Sequence, residues 1–248
     1  MSLVVEPMPD LGITRVSRWI FNCYVIHDGA DGPVVVDAGL PRTVDDVQPV
    51  LNKLPGSLSA IVATHGHSDH VAGAGLLAEQ YDAPIYLPAA TLTYLDGIRP
   101  RTPTPAKVAR IWPVYLDQPV DRVAGMGLVS GALRAGFGTP RGMLWRGKRP
   151  AGGLEDGKPL PGGSAWTVLS APGHTDDSIV LWNEATRTLI SGDAVLSAHG
   201  RAWHTPETVD PHTAATTAAR LRRLPVEHLL PGHGRPVHAT PVWANRRN

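Results

Sequence analysis

Apolar and polar positions alternate in short blocks along the first part of the chain. Residues 19–26 and 33–37 are apolar or β-branched runs, and two Asp-Gly pairs lie between them. Such runs predict two neighbouring strands joined by a hairpin-like turn. Apolar side chains then recur three or four residues apart over 40–54, which predicts an amphipathic helix.

The same alternation continues along the rest of the chain. Further strands are predicted at 60–64, 84–87, 166–170, 178–182, 188–191 and 226–230, and further helices at 71–81 and 210–224. The last helix begins at Asp210, a residue type favoured as an N-cap, and Pro211 occupies its first position. Strands and helices therefore alternate in two similar halves.

The middle of the chain differs from both halves. Residues 97–163 are crowded with proline and glycine, and helices are plausible there only near 107–112 and 127–135. We interpret this stretch as an insertion into a single domain spanning 1–248, because it is too broken to carry its own core. A long loop-rich segment in a compact chain is usually functional or partly disordered.

Composition and charge exclude several classes of protein. The chain has 248 residues, a formal net charge of +1 and 42% hydrophobic residues, which is inconsistent with a disordered chain. Cys23 is the only cysteine, so no disulfide framework is expected. We find neither an apolar run long enough to cross a membrane nor a secretory signal, and therefore expect a cytoplasmic protein.

Residues 97–150 carry a charge of +8 and the remainder −7, which suggests an anionic substrate if this segment faces the active site.

The strongest chemical signal is the sequence His65-Gly66-His67-Ser68-Asp69-His70, which follows a predicted strand and precedes a predicted helix. In an extended loop His65 and His67 point the same way, whereas Asp69 and His70 lie where the chain turns. One loop can thus serve two adjacent metal ions. Imidazole and carboxylate ligands suit Zn²⁺, with Fe²⁺ and Mn²⁺ as alternatives.

Three later segments each place a potential ligand at a turn after a strand. They are Pro172-Gly173-His174-Thr175, Ser191-Gly192-Asp193 and Pro231-Gly232-His233-Gly234. The order of these segments after the histidine-rich loop resembles the metallo-β-lactamase superfamily, and residues 35–39 are similar to an early segment of that family. The resemblance implies an α+β fold of the αββα type, in which two mixed β-sheets pack face to face with helices outside.

The resemblance also implies a complete set of ligands for two divalent metal ions. It assigns His65, His67 and His174 to the first ion, Asp69, His70 and His233 to the second, and Asp193 to a bridge between them. Asp37 matches a position that supports the ligand loop from behind. The bridging Asp193 is typical of the glyoxalase II, lactonase and phosphodiesterase branches. The sequence departs from many relatives at Asp177, where they have glycine.

A pair of metal ions sharing a bridging water predicts a hydrolase. Hydroxide formed between the ions would attack an electrophilic centre, and Asp69 would orient it or move its proton. We expect a small ester-like substrate, either a thioester or a lactone, with phosphodiesters and β-lactams as alternatives. His199 and His204 follow Asp193 in a predicted loop over the metals and are candidate substrate contacts.

Other predictions concern partners. A non-catalytic protein that binds metal or nucleic acid is the alternative from a different class, and the complete ligand set argues against it. Nucleic acid is not expected as a partner, because no aromatic-basic stacking motif accompanies the basic residues. The apolar stripe at 108–112 is a candidate contact of a homodimer.

Overall fold

The computed structural model describes residues 3–27, 29, 32–122, 124, 126, 127 and 148–245. A first sheet has seven strands in chain order: β1 (Leu3–Met8), β2 (Ile13–Arg18), β3 (Phe21–Ile26), β4 (Val34–Val36), β5 (Ala60–Val62), β6 (Ile85–Pro88) and β7 (Gly152–Leu154). Strands β1 to β4 pair antiparallel and β4 to β7 pair parallel, so the sheet is mixed.

A second mixed sheet is built mainly from the C-terminal half. Its strands are β8 (Pro159–Leu160), β9 (Gly163–Ser170), β10 (Ile179–Asn183), β11 (Thr188–Gly192), β14 (His228–Pro231) and β15 (Val237–His238), in the order β15-β14-β11-β10-β9-β8. Only the β11–β14 pair is parallel. A separate hairpin consists of β12 (Val195–Ala198) and β13 (Arg201–His204).

The described helices are α1 (Thr43–Leu51), α2 (Ser68–Val71), α3 (Ala74–Tyr81), α4 (Ala89–Leu95), α5 (Pro105–Val108), α6 (Trp112–Leu116) and α7 (Pro211–Leu221). Helices α1 and α3 pack on the outer face of the first sheet, where Val47 and Leu77 are fully buried. Helix α7 covers the second sheet, and its Leu221 packs with Leu189 and Leu229.

The three valines of β4 show how the sandwich is held together. Successive side chains of a strand point to opposite faces. Val34 and Val36 accordingly pack between the two sheets, whereas Val35 packs under the helices. All three are fully buried, because both faces of the strand are covered. The predicted αββα sandwich is therefore confirmed, and its continuous apolar strands reflect burial on both faces.

Several predicted elements are present close to their expected bounds. Strands β3 and β4 pair antiparallel as the predicted hairpin, and α1 lies within the helix predicted over 40–54. The helix predicted near 107–112 is divided into α5 and α6 by a short 3₁₀ turn, and Pro113 lies in the first turn of α6. The helix predicted at 127–135 lies outside the described residues apart from Gly127.

Other segments differ from expectation. Strands β1 and β2 were not predicted, and neither were β7 and β8, which lie within 97–163. Strand β7 pairs with β6 in the first sheet, and β8 pairs with β9 in the second. The predicted loop over 198–204 is instead the turn and second strand of the β12–β13 hairpin. His199 and Gly200 form its two-residue turn, and both have positive φ, as a type I′ turn requires. In the stripe at 108–112, Ile111 is buried in the protein's own core and Trp112 is exposed.

No described helix is both long and apolar enough to cross a membrane.

Candidate metal centre

The predicted ligands converge at one edge of the sandwich, where strands from both sheets end. After β5 the chain passes through His65 and His67 and then enters α2. His174 lies in the connection between β9 and β10, and Asp193 follows β11. The ligand atoms of these four residues all lie within 4.8 Å of one another, with Nδ1 of His67 3.1 Å from Nε2 of His174.

A second donor group lies beside the first. Asp69 and His70 belong to α2, and His233 follows β14. Their ligand atoms also lie within 4.8 Å of one another, and the Asp69 Oδ2 atom is 3.2 Å from Nε2 of His233. Among the residues that the structure describes, these are the two groups of three or more potential ligands.

Asp193 lies between the two groups. Its Oδ2 is 3.5 Å from Nε2 of His174 and 3.2 Å from Nε2 of His233, and its Oδ1 is 3.5 Å from Nε2 of His70. One carboxylate thus faces donors of both groups, which is the geometry a bridging ligand needs.

Asp37 supports the second group from behind. Its Oδ2 lies 2.9 Å from Nδ1 of His70 and accepts a hydrogen bond from the Thr64 hydroxyl at 2.8 Å. Its Oδ1 accepts from the Thr64 amide at 2.7 Å. With Nδ1 held as the donor, Nε2 of His70 keeps its lone pair directed toward the centre. Asp37 adopts φ +59°, and such a left-handed backbone persists only where its surroundings enforce it.

Gly232 allows the end of β14 to approach the centre closely. A Cβ atom at this position would lie 2.5 Å from Asp193 Oδ1 and 2.8 Å from Cε1 of His70. Contacts this short are not tolerated, so the close approach of backbone to ligand requires glycine here.

Three candidate ligands have the protonation states that divalent metal ions need, whereas two histidines must lose a proton when metal binds. Burial and the neighbouring imidazoles lower the pKa of His65 well below its usual value, and burial and His174 lower the pKa of His67 to about 3. Burial tends to raise the pKa of Asp193, but His233 and His70 outweigh it and lower that pKa. Burial lowers the pKa of His70 and His233, but Asp37 and Asp193 outweigh it and raise that of His70 well above its usual value, and Asp193 and Asp69 raise that of His233 to about 10. Metal ligation requires neutral imidazoles and ionised carboxylates.

Unsatisfied polar atoms also fit a cation at this centre. His65 Nε2, His70 Nε2 and Asp193 Oδ1 are buried and have no hydrogen-bond partner in the described part of the chain. Leaving a buried polar atom unpaired costs about 1–3 kcal/mol, so three together in one place are unusual without a ligand. A metal ion would satisfy such atoms together.

The two candidate substrate contacts lie outside both donor groups. The side chain of His199 is 62% exposed, and its Nδ1 lies 3.0 Å from Asp117 Oδ1. The imidazole of His204 stacks on the indole of Trp243, with ring centroids 5.6 Å apart. Neither imidazole joins the described ligand groups.

Glu207 was not predicted and lies beside the centre. Its backbone carbonyl is 2.6 Å from Nδ1 of His174, and its side chain is buried. Burial, together with the negative charges of Asp193 and Asp69, raises the pKa of Glu207 to about 8. A single glutamate in a threonine- and proline-rich stretch carries no local signal, so only the folded arrangement reveals it.

Known proteins resemble this chain in sequence and in fold. The sequence profile of the metallo-beta-lactamase superfamily matches residues 18–233. The chain is 28% identical to the probable metallo-hydrolase YflN of Bacillus subtilis (strain 168), covering 91% of this chain and 85% of that protein. It is 26% identical to a hydroxyacylglutathione hydrolase of Bdellovibrio bacteriovorus, covering 68% of this chain and 46% of that protein.

A solved structure of similar fold also resembles this chain. The crystal structure of TTHA1623 in a di-iron-bound form superposes with a TM-score of 0.56 at 26% identity, covering 90% of this chain and 92% of that one. The chain belongs to the metallo-beta-lactamase superfamily, as its sequence predicts. It is a metal-dependent hydrolase of that superfamily.

Proposed function

We propose that the chain binds two divalent metal ions and hydrolyses a small ester-like substrate, either a thioester or a lactone. Zn²⁺ is the ion we favour, with Fe²⁺ and Mn²⁺ as alternatives, because imidazole and carboxylate ligands accept all three. His65, His67 and His174 would hold one ion, Asp69, His70 and His233 the other, and Asp193 both. The observation that carries the proposal is the position of Asp193, whose carboxylate lies within 3.5 Å of histidines of both donor groups.

When bound, the ions supply Lewis acidity, which lowers the pKa of water and stabilises negative charge on the substrate. Asp69 is the carboxylate of the centre that reaches solvent, since its side chain is 18% exposed against 4% for Asp193. We assign Asp69 the proton transfers. It accepts a proton from the attacking water, and the leaving sulfur or oxygen receives that proton when its bond to the acyl carbon breaks. A thioester gives a carboxylic acid and a thiol, and a lactone gives a single hydroxy acid.

Two observations support the ester-like class. The relative from Bdellovibrio bacteriovorus is named as a hydrolase of a glutathione thioester. A carboxylate between two donor groups is also the feature that we associate with the glyoxalase II and lactonase branches, which share it with the phosphodiesterase branch. Phosphodiesters and β-lactams remain alternative substrates of the same centre, and they enter the test below.

The test combines metal analysis with a substrate panel. Purified protein should contain about two ions per chain and hydrolyse thioesters or lactones faster than bis-p-nitrophenyl phosphate or nitrocefin. His67→Ala and Asp193→Ala should each abolish hydrolysis and lower the metal content. His212→Ala, which removes an exposed imidazole of α7, should retain both. Equal activity before and after chelation, or in the two centre variants, would refute the proposal.

A further inference from the structure

A cavity with basic walls lies next to the metal centre and is not used by the proposed chemistry. It has a volume of about 380 Å³, within the size range of small-molecule sites. Three of its lining residues are cations, namely Lys107, Arg110 and Arg222. None of its lining residues is an aspartate or glutamate, so the cavity has a strong positive bias.

The floor of this basic cavity is one face of α7. Its lining residues Pro211, Ala214, Ala215 and Ala218 recur at helical spacing and end at Arg222. Alanine side chains leave space above the helix that longer side chains would fill. The arrangement therefore gives a shallow, uncharged floor with a guanidinium at its far end.

The opposite side is fixed by the segment that precedes α7. Lys107 Nζ donates a hydrogen bond to the Thr208 carbonyl at 2.5 Å, which holds the ammonium against this segment. Thr205 and Thr208 line the cavity, and the Glu207 carbonyl between them contacts His174 of the metal centre. The segment 205–208 thus lies between the basic cavity and the metal centre and contacts both.

The arginines of the basic cavity differ from a third arginine nearby. All three are exposed, but Arg101 pairs with Asp176. By contrast, Arg110 and Arg222 have no ion-pair partner among the described residues. Two guanidinium groups and an ammonium without a facing carboxylate suit a ligand with several negative charges. Guanidinium groups bind phosphate and carboxylate alike through two parallel hydrogen bonds. Three cations around one cavity favour a phosphate ester over a single carboxylate, because phosphate offers more charge and more acceptor oxygens.

We propose that the basic cavity binds the phosphate-bearing tail of an organic substrate whose ester or thioester bond is cleaved at the metal centre. The assignment of the tail to a substrate rests on the proposed function, whereas binding of the anion does not. The segment 205–208 would then separate the anionic tail from the reacting bond.

Direct binding tests the cavity without relying on catalysis. The probe is adenosine 3′,5′-bisphosphate, titrated by calorimetry into metal-loaded protein. Arg110→Ser/Arg222→Ser should weaken binding about tenfold or more, because each lost guanidinium removes charge-assisted hydrogen bonds. Arg220→Ser/Arg223→Ser makes the same change in charge at exposed positions near the end of α7 that do not line the cavity, and should bind like the wild type. Binding that is abolished by chelation but unchanged in Arg110→Ser/Arg222→Ser would place the anion on the metals and overturn the proposal.

Matched substrates test the connection to the reaction. Acetyl-coenzyme A carries phosphates, whereas the acetyl thioester of N-acetylcysteamine has the same reacting bond and none. Arg110→Ser/Arg222→Ser should raise KM for the first about tenfold with kcat retained, and leave KM for the second unchanged. An equal change for both thioesters would overturn the assignment to a substrate tail. The protein could also bind the bisphosphate through the two arginines and yet hydrolyse no substrate of the panel. That result would refute the proposed function and leave the anion site intact.

Discussion

The carboxylate of Asp177 accepts a hydrogen bond from the backbone amide of Gly66 at 2.8 Å. This bond joins the loop that carries His65 and His67 to the loop that carries His174. Asp177 is 2% exposed, and the same oxygen accepts from the Thr91 hydroxyl at 2.5 Å. The residue at which the sequence departs from many relatives therefore connects two ligand loops of the first donor group.

Replacing Asp177 with alanine should weaken metal binding at the first donor group. The change leaves the Gly66 amide and the Thr91 hydroxyl without their acceptor, which costs about 1–3 kcal/mol of unfolding free energy. Metal affinity should fall about 10–100-fold, as for other residues that support metal ligands. Competition with a chromophoric chelator measures the affinity, and urea denaturation measures the stability. Asp176→Ala is the matched control, because Asp176 is a neighbouring surface residue; wild-type affinity in Asp177→Ala would disprove the supporting role.

Asp37→Asn should weaken the second donor group. The carboxylate at position 37 fixes Nδ1 of His70 as a donor, and an amide can present its NH₂ group there instead. We expect metal affinity to fall about 10–100-fold, with loss of the second ion before the first. Metal content after dialysis against graded chelator concentrations checks the order of loss. Asp45→Asn changes an exposed carboxylate of α1 and should have no effect; loss of both ions together in Asp37→Asn would contradict the assignment.

The central strands were predictable because a strand that is buried on both faces has an unbroken run of apolar residues. The run Val34-Val35-Val36 is apolar at every position, since alternate side chains enter different parts of the core. Strand β1 was missed for the opposite reason. It is an edge strand on which Leu3, Val4 and Val5 are 42–46% exposed, and it contains Pro7. An edge strand needs neither a buried face nor a full set of amide donors.

The candidate ligands were predictable from the sequence, because they lie in recognisable motifs that follow one another in a characteristic order. Features of the centre that depend only on the fold were not predictable. All seven candidate ligands are histidines or aspartates next to glycine or within the histidine-rich loop, so their residue types stand out locally. Glu207 contacts His174 through a backbone carbonyl, which no residue type encodes. The β12–β13 hairpin was missed because His199 occupies a turn position with positive φ that asparagine or glycine usually fills.

Gly232→Ala should disrupt the centre by steric overlap. The added methyl group would lie 2.5 Å from Asp193 Oδ1, so either the strand end or the carboxylate must move. We expect a loss of about 1–3 kcal/mol in unfolding free energy, typical of overpacking, and loss of bound metal. Gly152→Ala is a control, because the nearest contact of its methyl group would be an ordinary 3.5 Å to the Tyr86 ring. Unchanged metal content in Gly232→Ala would show that the centre tolerates the shift.

The imidazole of His238, which lies beside that of His228, should make stability fall in mild acid. The two residues lie opposite each other on β14 and β15, with their Nδ1 atoms 2.9 Å apart. Burial and the neighbouring His228 lower the pKa of His238 in the folded protein, while Glu6 opposes the shift. Folding therefore disfavours the protonated ring, so this contribution to stability is complete above the unfolded pKa of about 6.5 and is lost as pH falls toward the lower folded pKa.

Urea denaturation at about pH 7.5 and 5.5 should show a smaller loss of stability for His238→Gln than for the wild type. His212→Gln, which removes an exposed imidazole of α7, should lose as much stability as the wild type; equal losses in all three proteins would exclude the pair as a source of acid sensitivity.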